Sequence, residues 1–167
     1  MPNLIQIQGQ SFDVIETGYI KQCVAMAQTT INSLFNKIGI IIGEPGTGKT
    51  IASHYLAQRL NGHRFCCNSG MSKKSLLTTI ARQFGLIKPT ASSDELTNFL
   101  SSKLNGQLII LDEANHLGVK QLESLRYFTD EIGAILIGTD ILAQILEDNG
   151  NLPSPNPKQN RGKTLQI

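Results

Sequence analysis

The sequence predicts an α/β protein in which a parallel sheet carries helices on both faces. Three observations support this. Nearly unbroken apolar runs, "IGIII", "LIILD" and "AILIG", recur along the chain, as strands do when both of their faces are buried. Segments with apolar residues at helical spacing separate them, and alternating strands and helices imply parallel pairing through crossovers. At 167 residues the chain is long enough for one domain with a sizeable core.

The elements follow in order. "MPNLIQIQGQ" reads as a loose, Gln-rich start. Thr17 or Gly18 opens a helix with Ile20, Val24, Ala27, Ile31, Leu34 and Phe35 on one face, leading into a strand from Ile38 to Ile42. A glycine loop separates this strand from a helix running from about Lys49 to Leu60, which Asn61-Gly62 ends as a C-cap. "HRFCCN" reads as a short buried strand. Ser72 caps a helix to about Phe84, and Ser92 with Glu95 has capping-box spacing for the next, to about Leu104. "QLIILDE" is an apolar strand ending in two carboxylates. A helix carrying Leu122, Leu125 and Phe128 follows, then the strand "GAILIGT", and Asp140 caps a helix from Ile141 to Glu147. Residues 148–167 form a proline-rich polar tail in which "KTLQI" reads as a last short strand, leaving 1–147 as the core.

A formal charge of +2 with 40% hydrophobic residues describes an ordinary globular chain and neither requires nor excludes a nucleic-acid partner. Three cysteines, Cys23, Cys66 and Cys67, make an odd count, with the adjacent pair in an expected buried strand, so a disulfide framework is not expected. The N-terminus lacks a basic, then apolar, leader pattern, and no run approaches the roughly 18 apolar residues of a membrane span. A reducing cytoplasm, away from any membrane, is the expected location.

Chemistry enters with "IIIGEPGTGKT". Gly43, Gly48, Lys49 and Thr50 fit G-x-x-x-x-G-K-[ST] between a strand and a helix, the context that gives this pattern its meaning. Gly43, Glu44, Pro45, Gly46, Thr47, Gly48, Lys49, Thr50 and Ile51 are the expected nucleotide-binding residues. Main-chain amides and a helix N-terminus cradle a diphosphate, Lys49 reaches the outer phosphates, and Thr50 ligates Mg²⁺. Asp112 and Glu113 supply the other half at the end of an apolar strand: Asp112 holds the metal through water, and Glu113 orients and deprotonates the attacking water. ATP and Mg²⁺ are the expected substrate and cofactor, and phosphoanhydride hydrolysis the expected reaction. Thr139 either donates a hydrogen bond to the γ-phosphate or lytic water, or caps the next helix with Asp140. Asn68 either binds Glu113 through its amide, holding it off until a partner arrives, or simply forms a turn.

Together, "IIIGEPGTGKT", "LIILDEANHL" and "AILIGTDIL" resemble the Walker A, Walker B and sensor-1 segments of AAA+ ATPases. "LGVKQLESLRYFTDEIGAILIGTD" further resembles the Mu B-like transposition-regulator branch. The resemblance covers roughly residues 13–147. It implies a P-loop NTPase of AAA+ type, a three-layer sandwich with a five-stranded parallel sheet in the order 5-1-4-3-2. It also implies that "VIETGYIKQCVAMAQ" helps enclose the adenine. The implied function is an ATPase that assembles on double-stranded DNA as a filament or ring and regulates a transposase. Matching positions for DNA contact are Lys73, Lys74, Lys103 and Lys120; the bottom-up alternative is solvated helix ends. Arg161 corresponds to an arginine finger reaching the next subunit, or is a tail cation. The family's small helical lid is expected to be absent, as is the helix-turn-helix of the phage protein, as in an excised core, a minimal member or a truncated remnant. A helicase loader, and a nucleotide-binding scaffold or switch with little turnover, are the rival readings.

Overall fold

The computed structural model describes residues 4–33, 37–86, 88, 90–104, 106–127, 132–149 and 163–166. In chain order these form β1 (Leu4–Ile7), β2 (Gln10–Asp13), α1 (Gly18–Ile31), β3 (Ile38–Ile42), α2 (Lys49–Arg59), β4 (His63–Cys66) and α3 (Lys73–Gln83). Then come α4 (Ser93–Lys103), β5 (Leu108–Asp112), a 3-10 turn (Ala114–His116), α5 (Val119–Arg126), β6 (Gly133–Gly138), α6 (Asp140–Asp148) and β7 (Lys163–Gln166).

The main sheet runs β4-β5-β6-β3-β7, every pairing parallel. Counted from β3 as the first strand, this is the order 5-1-4-3-2. Alternating side chains divide between two cores. Ile40, Ile42, Ile109, Leu111 and Leu136 face a layer containing Leu76, Leu77 and Ile80 of α3, Leu96 and Leu100 of α4, and Leu122 of α5. Ile41, Ile110, Ile135 and Ile137 face Cys23 and Ala27 of α1 and Ala52 and Leu56 of α2. Each such isoleucine contributes about 1.5–3 kcal/mol relative to exposure, which is why these strands read as unbroken apolar runs. Helix α1 lies so close to β3 that a Cβ on Gly39 would meet Met26 Sδ at 2.6 Å and Thr30 Oγ1 at 2.7 Å.

The caps at Ser72 and Ser92 form as expected, the latter with both halves of its capping box, and Thr17 caps α1, which opens at Gly18. At the end of α2 it is Asn61 that takes the left-handed conformation, φ 50°, while Gly62 donates its amide to Ala57 O at 2.7 Å. α1 ends at Ile31 with Asn32 as its C-cap, short of the expected Leu34 and Phe35; those two residues and Phe128 lie outside the described residues.

Three expectations are corrected. The loose N-terminus is an antiparallel hairpin, β1 with β2, because Gln8 (φ 50°) and Gly9 (φ 80°) make a two-residue turn with both φ values positive. The pair Cys66 and Cys67 does not lie in a buried strand. β4 is an edge strand, so Cys66 is exposed while Cys67, past its end, is buried; all three cysteines are free. Finally, Asp140 is the first helical residue of α6 rather than its cap; Thr139 holds the cap position without a side-chain capping bond. A carboxylate in the first turn still complements the helix dipole.

Candidate functional site

Parallel strands bring their C-terminal ends to one edge of the sheet, where ligands of such folds bind. The register pairs Ile42 with Gly138 and Leu111 with Leu136. Gly43, the Asp112–Glu113 pair and Thr139 therefore emerge side by side. Because β6 lies between β3 and β5, Thr139 stands between the glycine loop and the two carboxylates.

The loop turns on Gly46 (φ 83°) and Gly48 (φ 86°), a left-handed geometry that glycine adopts without a Cβ penalty. Thr47 braces it, donating Oγ1 to Glu44 O at 2.8 Å; Glu44, Pro45 and Gly46 are exposed. Gly48 then opens α2, whose first amides have no intrahelical acceptor. Lys49 is 7% exposed, and its Nζ donates to Gly43 O at 2.8 Å and Glu44 O at 2.6 Å. A nearly buried ammonium held by two neutral carbonyls, with no carboxylate among its described partners, suits an incoming polyanion.

Asp112 is 1% exposed, and both of its carboxylate oxygens accept hydrogen bonds. Its Oδ1 accepts from the Glu113 amide at 3.0 Å. Its Oδ2 accepts from Arg64 Nη2 at 2.6 Å and lies 2.9 Å from Ser53 Oγ. Arg64 Nε also donates to Ser53 Oγ at 2.7 Å, and that hydroxyl lies 2.7 Å from Thr50 O. Its one proton serves the carboxylate or the carbonyl, not both at once. Asp112 is thereby tied to the first turn of α2, which carries the exposed Thr50. Among the described residues no cluster of three or more His, Cys, Asp or Glu is built to hold a metal. One carboxylate plus a hydroxyl fits Mg²⁺, which takes its other ligands from substrate phosphates and water. Glu113 is half-buried and sits at φ 57°, ψ 36°, a left-handed backbone that costs a non-glycine residue about 1–3 kcal/mol and concentrates at functional sites.

Thr139 Oγ1 is buried without a hydrogen-bond partner. Thr139 holds the cap position of α6 through its backbone, Thr139 O accepting from Leu142 N at 2.9 Å, so its hydroxyl remains an unused donor at the C-terminal edge of the sheet. Beside the loop, an apolar cleft of about 420 Å³ is lined by Phe12, Val14, Ile15, Tyr19, Gly48 and Ile51, among others. It lies within the range of small-molecule sites. Burial, followed by the neighbouring Cys23, raises the Tyr19 phenol well above its ordinary value, and burial pushes the Cys23 thiol up to about 11. Tyr19 therefore presents an uncharged ring and phenol to the cleft at neutral pH.

Asn68 lies past the end of β4, exposed, with Oδ1 accepting from the Gly70 amide at 3.1 Å; no bond between Asn68 and Glu113 is found among the described residues. Lys73 and Lys74 open α3. Gln121 Nε2 donates to Met71 O at 2.8 Å, tying the start of α5, which carries the exposed Lys120, to the residues just ahead of α3. Lys73 Nζ stands 5.8 Å from the centroid of the Tyr127 ring and shares a polar hollow with Asp94, Thr97 and Asn98. Lys103 ends α4 just ahead of the N-terminal end of β5, at the opposite edge of the sheet, and does not join this group. Arg161 lies outside the described residues.

The sequence reading missed Ser53, Arg64 and Asn115. Ser53 follows Thr50 by three residues, on the same helix face. Arg64 carried a weak signal, as a cation in the short strand His63–Cys66. Asn115 carried none, because its contact is long-range.

The AAA domain family matches residues 36–146. The ATP-dependent target DNA activator B of Escherichia phage Mu is 32% identical over 131 residues, 74% of this chain and 41% of that protein. The Mu-like prophage FluMu DNA transposition protein B of Haemophilus influenzae is 31% identical over 112 residues, 63% of this chain and 39% of that protein. The chain thus spans about two fifths of the length of these relatives. The fold is also similar to that of the RuvB Holliday junction branch migration motor of Thermotoga maritima. That likeness has a TM-score of 0.50 and 17% identity, over 92% of this chain and 45% of that one. The chain belongs to the AAA domain family of P-loop NTPases.

Proposed function

We propose that this chain binds ATP with Mg²⁺, hydrolyses it, and assembles on double-stranded DNA as a filament or ring that regulates a transposase. The observation that carries the hydrolytic part is Thr139 Oγ1, a buried donor without a partner, between the glycine loop and Glu113. The DNA and transposase parts rest on the Mu B-like relatives, whose names record target DNA and transposition.

Adenine suits the cleft between Tyr19 and Ile51, and the phosphates run along the amides opening α2. Lys49 exchanges its two carbonyl partners for phosphate oxygens. Thr50 and Asp112 are the residues that would hold Mg²⁺, which when bound withdraws charge from the phosphate oxygens. Glu113 takes the proton from the attacking water, and Thr139 donates to the γ-phosphate or that water. Lys73, Lys74 and Lys120 form a basic edge suited to a phosphodiester backbone, and Arg161 is the intersubunit finger.

Glu113→Gln in the full chain should keep ATP affinity while lowering turnover by about 10²-fold or more. With duplex DNA and a non-hydrolysable ATP analogue, electron microscopy should reveal ordered assemblies. Tight preference for single strands would move the reading to a helicase loader. Absence of heat on titrating ATP and Mg²⁺ into folded protein would remove the nucleotide site altogether.

A further inference from the structure

The ladder between β5 and β6 ends at Leu111 and Leu136. Beyond it the β5 side leaves the sheet, turned by the left-handed Glu113 into the 3-10 turn. Thr139 N–H therefore faces no strand neighbour there. The Asn115 side chain fills the gap, its Oδ1 accepting from Thr139 N at 3.3 Å. The other end of the same peptide group is also held, because Gly138 O accepts from Gly43 N at 3.2 Å. One peptide unit is thus clamped between the first glycine of the loop and the turn that follows the two carboxylates. Immediately after it comes the side chain whose hydroxyl has no partner.

We propose that Asn115 is a positioning residue for hydrolysis. By holding the Gly138–Thr139 peptide against the carboxylate turn, it sets where the Thr139 hydroxyl stands and makes the glycine loop and Glu113 move as one unit. This rests on the ATPase reading above. The donor on Thr139 requires the amide oxygen of Asn115, so an acceptor at that point is the needed chemistry. Space is equally constrained: a Cβ on Gly138 would come within 3.0 Å of Asn115 Oδ1 and of Leu142 Cδ2. Displacing a positioned group by about 1 Å is enough to cost about 10²-fold in rate.

The test compares Asn115→Leu, similar in size but without an acceptor, with Asn115→Asp, which keeps one. Both are made in the full chain and read by steady-state kinetics, ATP binding and hydrogen exchange at the Thr139 amide. Asn115→Leu should lower kcat by about 10- to 100-fold, leave ATP affinity and KM within about 2-fold, and speed Thr139 amide exchange. Asn115→Asp should restore most of the exchange protection and of kcat. Gly138→Ala, which pushes on the same oxygen, should resemble Asn115→Leu. The proposal is overturned if Asn115→Leu leaves both kcat and Thr139 exchange unchanged, or if it weakens ATP binding as much as it lowers kcat. A wild-type chain that binds ATP without turnover would instead remove the hydrolytic reading, while the exchange comparison still decides the Asn115 contact.

Discussion

Replacing Arg64 by leucine isolates the most highly charged contact of the buried site. Its guanidinium meets Asp112 at 2.6 Å, and the side chains are 20% and 1% exposed. Without it, Asp112 keeps, among the described residues, the Glu113 amide at 3.0 Å and the Ser53 hydroxyl, whose proton Thr50 O also draws from 2.7 Å. Removing one partner of a buried ion pair costs about 3–5 kcal/mol. Arg64 is partly solvated, so water offsets some of this, and about 2–3 kcal/mol is expected. With a urea slope of about 2 kcal/mol/M, the unfolding midpoint should fall by about 1–1.5 M. Circular dichroism across a urea titration measures it. Arg64→Lys should lie between the two, because a single ammonium does not reproduce the fork that holds Ser53 and Asp112 together. Adding Asp112→Leu to Arg64→Leu should recover stability, since the uncompensated charge is gone. A midpoint shift under about 0.3 M, or a double variant no more stable than Arg64→Leu, refutes the reasoning.

Further outcomes follow from the same geometry. Lys49→Ala, which deletes the nearly buried ammonium, should abolish measurable ATP binding in a calorimetric titration while leaving the folded far-ultraviolet spectrum intact. Gly39→Ala drives a methyl to within 2.6 Å of Met26 Sδ and should cost about 1–3 kcal/mol by overpacking, read from thermal unfolding. The Lys88 ammonium and the Ser92 cap hold the Glu95 carboxyl down at about 2, below its unfolded value of about 4.3. Its contribution is therefore complete above that unfolded value and fades as pH falls toward about 2. Carbon-detected NMR of the Glu95 carboxyl should titrate in that lower range, and Glu95→Gln should flatten the acid limb of the stability curve.

Much of the architecture was legible because local physics writes it into the chain. Ile38–Ile42 and Leu108–Asp112 are buried on both faces, so their apolar runs were unambiguous. Ser72, Ser92 and Thr17 cap helices through bonds within three residues. The hairpin was harder to read, because Gln8 carries no turn signature and its positive φ comes from the two-residue loop it shares with Gly9. β4 was misjudged as buried because an edge position is a property of the sheet, invisible along the strand.

By itself, the chain's order of residues determined the glycine loop, the paired carboxylates and the strands that end in them, since each depends on neighbours a few positions apart. Only the tertiary structure decided that β6 slots between β3 and β5, delivering Thr139 to the space between Lys49 and Glu113. The same holds for the bonds from Arg64 to Asp112, 48 residues away, and from Thr139 to Asn115, 24 residues away. The reason is that burial and parallel pairing select a strand order from all those the local signals permit. Contacts across that order join residues whose separation in sequence leaves no periodic trace.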